Sequence, residues 1–148
     1  MVAAERVLLL DVNLLIALLD EWHPHHGAAL AFFPAAQARG WATCPITENG
    51  FLRILGHPKY HGGPGTAEGA RGLLAALCAA PGHQFWPDSA TLRDTRRFAT
   101  LPASAHLTDA YLLALAAERG GQLVTFDRRI DVRWIDQGSK ALLVLGRN

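Results

Sequence analysis

Short apolar runs alternate along the chain with longer stretches in which apolar residues recur every three or four positions. Val7 to Leu10 is a continuous aliphatic run that ends at a polar residue, which is typical of a strand buried on both faces. Four later segments, "WATCP", "HQFW", "QLVTF" and "ALLVL", predict further strands.

The stretches between these strands have helical spacing. Asn13 can cap a helix after the first strand, and Pro24 to Arg39 predicts a second helix that Gly40 stops. Further helices are predicted after a cap at Thr47, from Thr66 to Ala80, from Asp88 or Ser89 to Phe98, and from His106 to Arg119. Strands that alternate with helices imply right-handed crossovers, so we expect an α/β fold with a parallel sheet and helices on both faces.

The composition indicates a single globular domain but does not indicate a particular binding partner. The chain has 148 residues, 50% of them hydrophobic, so one domain with an ordinary core is expected. Because the formal net charge is only +1, any electropositive surface must be local. Cys44 and Cys78 form no CxxC motif or disulfide framework. Val7 to Leu19 is too short for a membrane span and is interrupted by Asp11 and Asn13, which predicts a cytoplasmic protein without a signal peptide.

Four acids are predicted to meet at one edge of the sheet. Asp11 follows the first strand, Glu48 lies in the first turn after the second, and Asp127 follows "QLVTF". Asp109 begins the helix that returns the chain to this last strand, so it lies at the same edge. Two unit charges 4 Å apart repel by roughly 4 kcal/mol at an effective dielectric of 20, and a divalent cation removes that conflict. Oxygen ligands favour Mg²⁺ or Mn²⁺, which indicates phosphate-ester chemistry.

Each acid also has a purely structural interpretation. Asp11 could cap the next helix, and Glu48 and Asp109 could be first-turn charges that interact with a helix dipole. Asp127 could be a turn residue, in which case Asp131 could replace it as a ligand. The set of four is more informative than any member.

Four blocks, "LLLDVN", "CPITENGFLRIL", "HLTDAYLLALA" and "LVTFDRR", resemble in order and spacing the acidic blocks of PIN-domain ribonucleases. They are most similar to the VapC toxins of bacterial toxin–antitoxin pairs, and the resemblance covers Val7 to Arg129. It implies a single PIN-like domain over residues 1–148, a three-layer sandwich around a mainly parallel sheet of four or five strands. The implied activity is a Mg²⁺- or Mn²⁺-dependent endoribonuclease that hydrolyses RNA phosphodiesters.

The resemblance also implies roles for particular residues and partners. Asn13 is implied to be a polar accessory near the metal, and Arg128 and Arg129 are expected to contact RNA phosphates because they adjoin the acids. The implied partners are a VapB-like antitoxin and a second copy of the chain in a homodimer. The residues implied to bind the metal and catalyse cleavage are Asp11, Glu48, Asp109 and Asp127.

Two other functions remain open from the sequence. A haloacid-dehalogenase-like phosphatase also has an Asp after its first strand, but it needs a second Asp where this chain has Asn13. A catalytically inactive PIN-like binding module would keep the fold without the chemistry. A separate histidine-rich motif, "WHPHH" at Trp22 to His26, suggests a transition metal, although such spacing at a helix start is more often structural.

Overall fold

The computed structural model describes residues 6–146, which contain a five-stranded parallel sheet with the strand order β3-β2-β1-β4-β5. The strands are β1 (Leu8–Leu10), β2 (Trp41–Thr43), β3 (His83–Phe85), β4 (Gln122–Thr125) and β5 (Leu142–Val144). The helices are α1 (Val12–Leu19), α2 (His26–Arg39), α3 (Pro45–Leu55), α4 (Ala67–Cys78) and α5 (Leu107–Glu118). Short 3₁₀ turns cover Ser104–His106, Val132–Trp134 and Gly138–Lys140.

The sheet lies between two helical layers. Leu8 and Leu10 pack with buried residues of α1 to α4, whereas Leu9 packs with α5 on the opposite face. Successive side chains of a strand point to opposite faces, so β1, buried on both, has to be apolar throughout. This three-layer arrangement confirms the predicted α/β sandwich. In the described part of the chain, no helix combines the length and apolar character needed to cross a membrane.

The order of the strands brings together residues that are far apart in sequence. Leu10 of β1 pairs with Val124 of β4, and both strands run in the same direction. The Asp11 backbone N–H then donates to the Val124 carbonyl at 3.1 Å. Side chains that follow β1 and β4 therefore lie at the same edge of the sheet.

Two predicted helix caps were wrong. Asp11, not Asn13, caps α1, because its extended backbone lets Oδ1 accept the Leu14 N–H at 2.8 Å. Asn13 is the second residue of that helix. The cap of α3 is Cys44, and the Thr47 hydroxyl accepts the Cys44 backbone N–H at 2.9 Å from inside the first turn.

The segment from Asp88 to Phe98 forms turns, so the helix predicted there was wrong. Asp94 Oδ1 accepts the backbone N–H groups of Arg96 and Arg97 at 3.0 and 3.3 Å, which satisfies them outside a helical ladder. Phe98 is the one fully buried side chain in this segment. Without a stripe of buried residues, tertiary packing cannot stabilise a helix here.

Candidate metal centre

Three of the four predicted acids line one cavity of about 530 Å³ at the carboxyl edge of the sheet. Asp11 follows β1, Asp109 lies in the first turn of α5, and Asp127 follows β4. We call this site the aspartate cavity. Its other lining residues are Val12, Asn13, Ile16, His23, Arg53, Ile54, Tyr60, Thr108, Leu112 and Arg129.

Asp11 is the most buried acid of the aspartate cavity, with 8% of its surface exposed. Burial, with smaller contributions from the charges of Asp109 and Asp127, raises the pKa of its carboxyl to about 6. Hydrogen bonds from the Thr125 hydroxyl and the Leu14 N–H oppose this increase. A cation that neutralises the cavity would favour the ionised form of Asp11.

The other two aspartates have opposite pKa shifts. Burial, followed by the charge of Asp127, raises the pKa of half-buried Asp109. Hydrogen bonds from Arg129 lower the pKa of Asp127, since Nε donates to Oδ1 and Nη2 donates to Oδ2, each at 3.0 Å. The Asp127 backbone N–H donates to the Thr125 hydroxyl at 3.0 Å. Thr125, which is fully buried, thus fixes both Asp11 and the start of the loop that carries Asp127.

The donor chemistry of the aspartate cavity fits Mg²⁺ or Mn²⁺. The convergent acids Asp11, Asp109 and Asp127 offer only carboxylate oxygens, and the charges of the other two are felt at Asp11 as a raised pKa. Mg²⁺ is bound through a few carboxylates and keeps several waters, so it needs a roomy site of this kind. A substrate phosphate can replace some of those waters.

Sequence reasoning missed His23, which reaches the aspartate cavity from the loop before α2. The His25 backbone N–H donates to His23 Nδ1 at 3.0 Å, so the proton of the neutral ring lies on Nε2. That nitrogen lies 2.9 Å from Asn13 Oδ1, to which it donates. The "WHPHH" motif was the available signal, and the structure uses this histidine to hold the accessory residue Asn13.

The structure does not bring Glu48 to the aspartate cavity. Its carboxylate accepts the Thr43 hydroxyl at 2.7 Å on the α4 side of the sheet. The side of α3 that meets the start of α1 carries Gly50, where a Cβ atom would lie 2.7 Å from Val12 Cγ2. Because each residue turns a helix by about 100°, Glu48 lies about 200° from Gly50.

Of the remaining predicted site residues, Arg129 lines the aspartate cavity, and Arg128 and Asp131 do not. The exposed Arg128 donates from Nη2 to the Gly146 carbonyl at 3.2 Å. Asp131, the alternative ligand, caps the turn Val132–Trp134 and pairs with Arg133 at 2.8 Å. Asp131 does not line the cavity, whereas Asp127 does, so Asp127 is the better candidate for the metal ligand that follows β4.

Comparison with known proteins places these features in a family context. The sequence profile described as PIN domain matches residues 8–133. Ribonuclease VapC44 of Mycobacterium tuberculosis (strain H37Rv) is 40% identical over 134 residues, which cover 89% of this chain and 94% of that protein. Ribonucleases VapC38 and VapC39 of the same strain are 44% and 45% identical over 119 and 121 residues. These alignments cover 80% of this chain in both cases, and 84% and 87% of the respective relatives.

Proposed function

Because the chain belongs to the PIN-domain family and is a VapC-type ribonuclease toxin, we propose that it hydrolyses RNA phosphodiesters in the aspartate cavity. One observation carries this assignment: Asp11, Asp109 and Asp127 come from three distant segments and line the same cavity. We further propose that residues 1–148 act as a single PIN-like domain, since the profile and the sheet span most of the chain.

Cleavage depends on a divalent metal, and we propose Mg²⁺ or Mn²⁺ held by Asp11, Asp109 and Asp127. When bound, such an ion lowers the pKa of a coordinated water and stabilises the charge that develops on the phosphate. The buried Thr125 hydroxyl fixes one oxygen of Asp11, and the α1 backbone fixes the other. Glu48 falls outside this proposal because its carboxylate is directed to Thr43.

Asn13 and Arg129 are proposed to position the RNA. The His23 ring holds the Asn13 side chain at the mouth of the cavity, which leaves the Asn13 amide N–H₂ group free to donate to a phosphate oxygen. Arg129 is 77% exposed at its side chain and pairs with Asp127, so its guanidinium can contact both the acid and an approaching phosphate. Arg128 lies next to it and is the second proposed phosphate contact.

The proposed partners are RNA, a VapB-like antitoxin and a second copy of the chain in the cytoplasm. The antitoxin is expected to place a basic side chain among the aspartates, because a rim of carboxylates attracts a cation. On this chain, the proposed docking surface for the antitoxin includes a cleft beside the cavity, where Leu19, Trp22 and Leu73 are exposed. Apolar side chains exposed in this way are commonly covered by a partner.

The test is to treat total cellular RNA with the purified protein and Mg²⁺, with and without EDTA, and to sequence the new ends. We expect discrete internal cuts that EDTA prevents. Hydrolysis of p-nitrophenyl phosphate without RNA cleavage would support the phosphatase interpretation instead. A protein that binds RNA but cuts none, with either metal, would be the inactive binding module.

A further inference from the structure

We propose that Glu48, Cys78 and His83 form a second metal site, specific for a transition metal such as Zn²⁺ and separate from the aspartate cavity. Within residues 6–146, these three side chains are the one group of His, Cys or acidic residues whose ligand atoms all lie within 4.8 Å of one another. We call them the Cys78 cluster.

The three ligands come from two helices that pack on the same face of the sheet and from β3, an edge strand of the sheet itself. Glu48 lies in the first turn of α3, Cys78 is the last residue of α4, and His83 is the first residue of β3. The His83 ring also packs against Trp41, with centroids 4.7 Å apart. Ligands fixed by separate secondary-structure elements are partly preorganised for a metal ion.

A buried threonine aims two of the ligands at one point. The Thr43 hydroxyl donates to Glu48 Oε2 at 2.7 Å, and its oxygen lies 2.8 Å from His83 Nε2, from which it accepts. Thr43 is fully buried, whereas the three ligands are half-buried, so an ion can enter from solvent. The metal would replace the hydroxyl as their common partner.

The donor set selects a different ion from the one proposed for the aspartate cavity. A thiolate, an imidazole and a carboxylate suit Zn²⁺ or Co²⁺, and three protein ligands leave a fourth position for water. Bonds of about 2.0–2.3 Å place such donors roughly 3.5 Å apart, so side-chain shifts of about one ångström would complete the site.

The "WHPHH" histidines form no equivalent group within residues 6–146, and two of them already have other partners. His23 binds Asn13 and the His25 backbone, and His26 Nδ1 lies 2.6 Å from the Ala17 carbonyl oxygen. A metal bound through a thiolate would thus report the Cys78 cluster.

The experiment is a Co²⁺ titration of the reduced, full-length protein, monitored by absorption spectroscopy. We expect one equivalent to give thiolate-to-cobalt charge transfer together with the visible bands of a four-coordinate ion. The charge-transfer band should disappear in Cys78→Ser, and His83→Gln should weaken Co²⁺ binding by roughly tenfold or more. Excess Mg²⁺ should not displace the ion.

Matched controls separate this proposal from misfolding and from the proposed nuclease site. Cys44→Ala removes the other cysteine, which is buried on the opposite face, and should keep the band. Asp11→Asn should also keep it. Zn²⁺ should raise the melting temperature of the wild type but not that of Cys78→Ser, whose metal-free melting shows whether it is folded. Absence of the band in the wild type, or its persistence in folded Cys78→Ser, would overturn the proposal.

Discussion

The aspartate cavity and the Cys78 cluster share one structural feature, a buried threonine that orients the ligands, but they differ in the ligands themselves. Each is organised by a fully buried threonine at the carboxyl end of a strand, Thr125 of β4 and Thr43 of β2. Thr125 donates to the Asp11 carboxylate and accepts the Asp127 backbone N–H, at a cavity of about 530 Å³ whose three acids offer only oxygen ligands. Thr43 serves a compact group that adds nitrogen and sulfur.

This difference shows how one sheet can keep two kinds of cation chemistry apart. The edge where β1 and β4 end is open and rich in oxygen donors, which suits a hydrated hard ion and a substrate phosphate. Under α4 the three ligand atoms lie within 4.8 Å of one another and include sulfur and nitrogen. Such a donor set suits a transition-metal ion that is bound by the protein without a substrate. In each site the threonine hydroxyl orients the neighbouring ligand side chains, and the chemical type of those ligands determines which ion is preferred.

The largest expected effect is that of Asp11→Asn on RNA cleavage. It removes the buried carboxylate of the aspartate cavity, so the cleavage rate should fall by roughly 10²–10³-fold. The cap of α1 should survive, because Asn is about as good an N-cap as Asp. Cleavage rates and circular dichroism measured on the same preparation check both parts, and wild-type activity in this variant would remove Asp11 from the site.

The raised pKa of Asp11 also predicts that the free energy of unfolding of the metal-free protein depends on pH. Well below pH 3.8 the carboxyl is protonated in both the native and the unfolded state, so it contributes nothing. Between pH 4 and about 6 the unfolded state loses the proton first, so the wild type becomes less stable as the pH rises. The difference between 3.8 and about 6 corresponds to about 3 kcal/mol, an upper estimate.

The measurement is urea unfolding of the wild type and Asp11→Asn in EDTA at several pH values. The variant should gain stability over the wild type as the pH rises, and the gain should level off above about pH 6. A constant difference across this range would mean that burial does not penalise the Asp11 charge.

Replacing each threonine by valine compares the two sites directly. Thr125→Val leaves an Asp11 oxygen without its donor, so cleavage should fall by about tenfold, since a buried unsatisfied group costs about 1–3 kcal/mol. Co²⁺ binding should be unchanged. Thr43→Val removes the hydroxyl that orients Glu48 and His83, so it should weaken Co²⁺ binding and leave cleavage unchanged. Loss of cleavage in Thr43→Val, or loss of Co²⁺ binding in Thr125→Val, would contradict the comparison.

A smaller effect is expected for Arg129→Ala. Arg129 lowers the pKa of Asp127 by pairing with it, so it competes with any cation that binds there. Its removal should lower the Mn²⁺ concentration for half-maximal cleavage by a few-fold at low salt, and it should raise the KM for RNA. Lys59→Ala, at an exposed lysine outside the cavity, is the control. An unchanged Mn²⁺ requirement would show that the ion pair does not compete.

The sequence predicted the features that depend on short-range patterns. The apolar run of β1 and the long apolar segment of α5 gave correct elements, although α5 is buried along seven consecutive residues and not on one face alone. Parallel strands explain why Asp11 and Asp127 share an edge. The caps were less predictable, because Asp11 and Asn13 are both good capping residues. The backbone conformation at Asp11 made the choice.

The direction of Glu48 could not be predicted from its position in the chain. A first-turn residue is correctly placed at the carboxyl edge, but its direction depends on how the helix is rotated. The contact between Gly50 and Val12 sets that rotation, and it involves two elements far apart in sequence. The approach of His23 to Asn13 likewise depends on the bend between α1 and α2.

The most direct test compares Asp109→Asn with Glu48→Gln in RNA cleavage at saturating Mn²⁺, with EDTA as the blank. Both substitutions remove one negative charge from an acid that follows the family pattern, but only Asp109 lines the cavity. We predict a loss of roughly 10²-fold or more for Asp109→Asn and a change of less than about threefold for Glu48→Gln. Equal losses in both folded variants would contradict the three-aspartate centre.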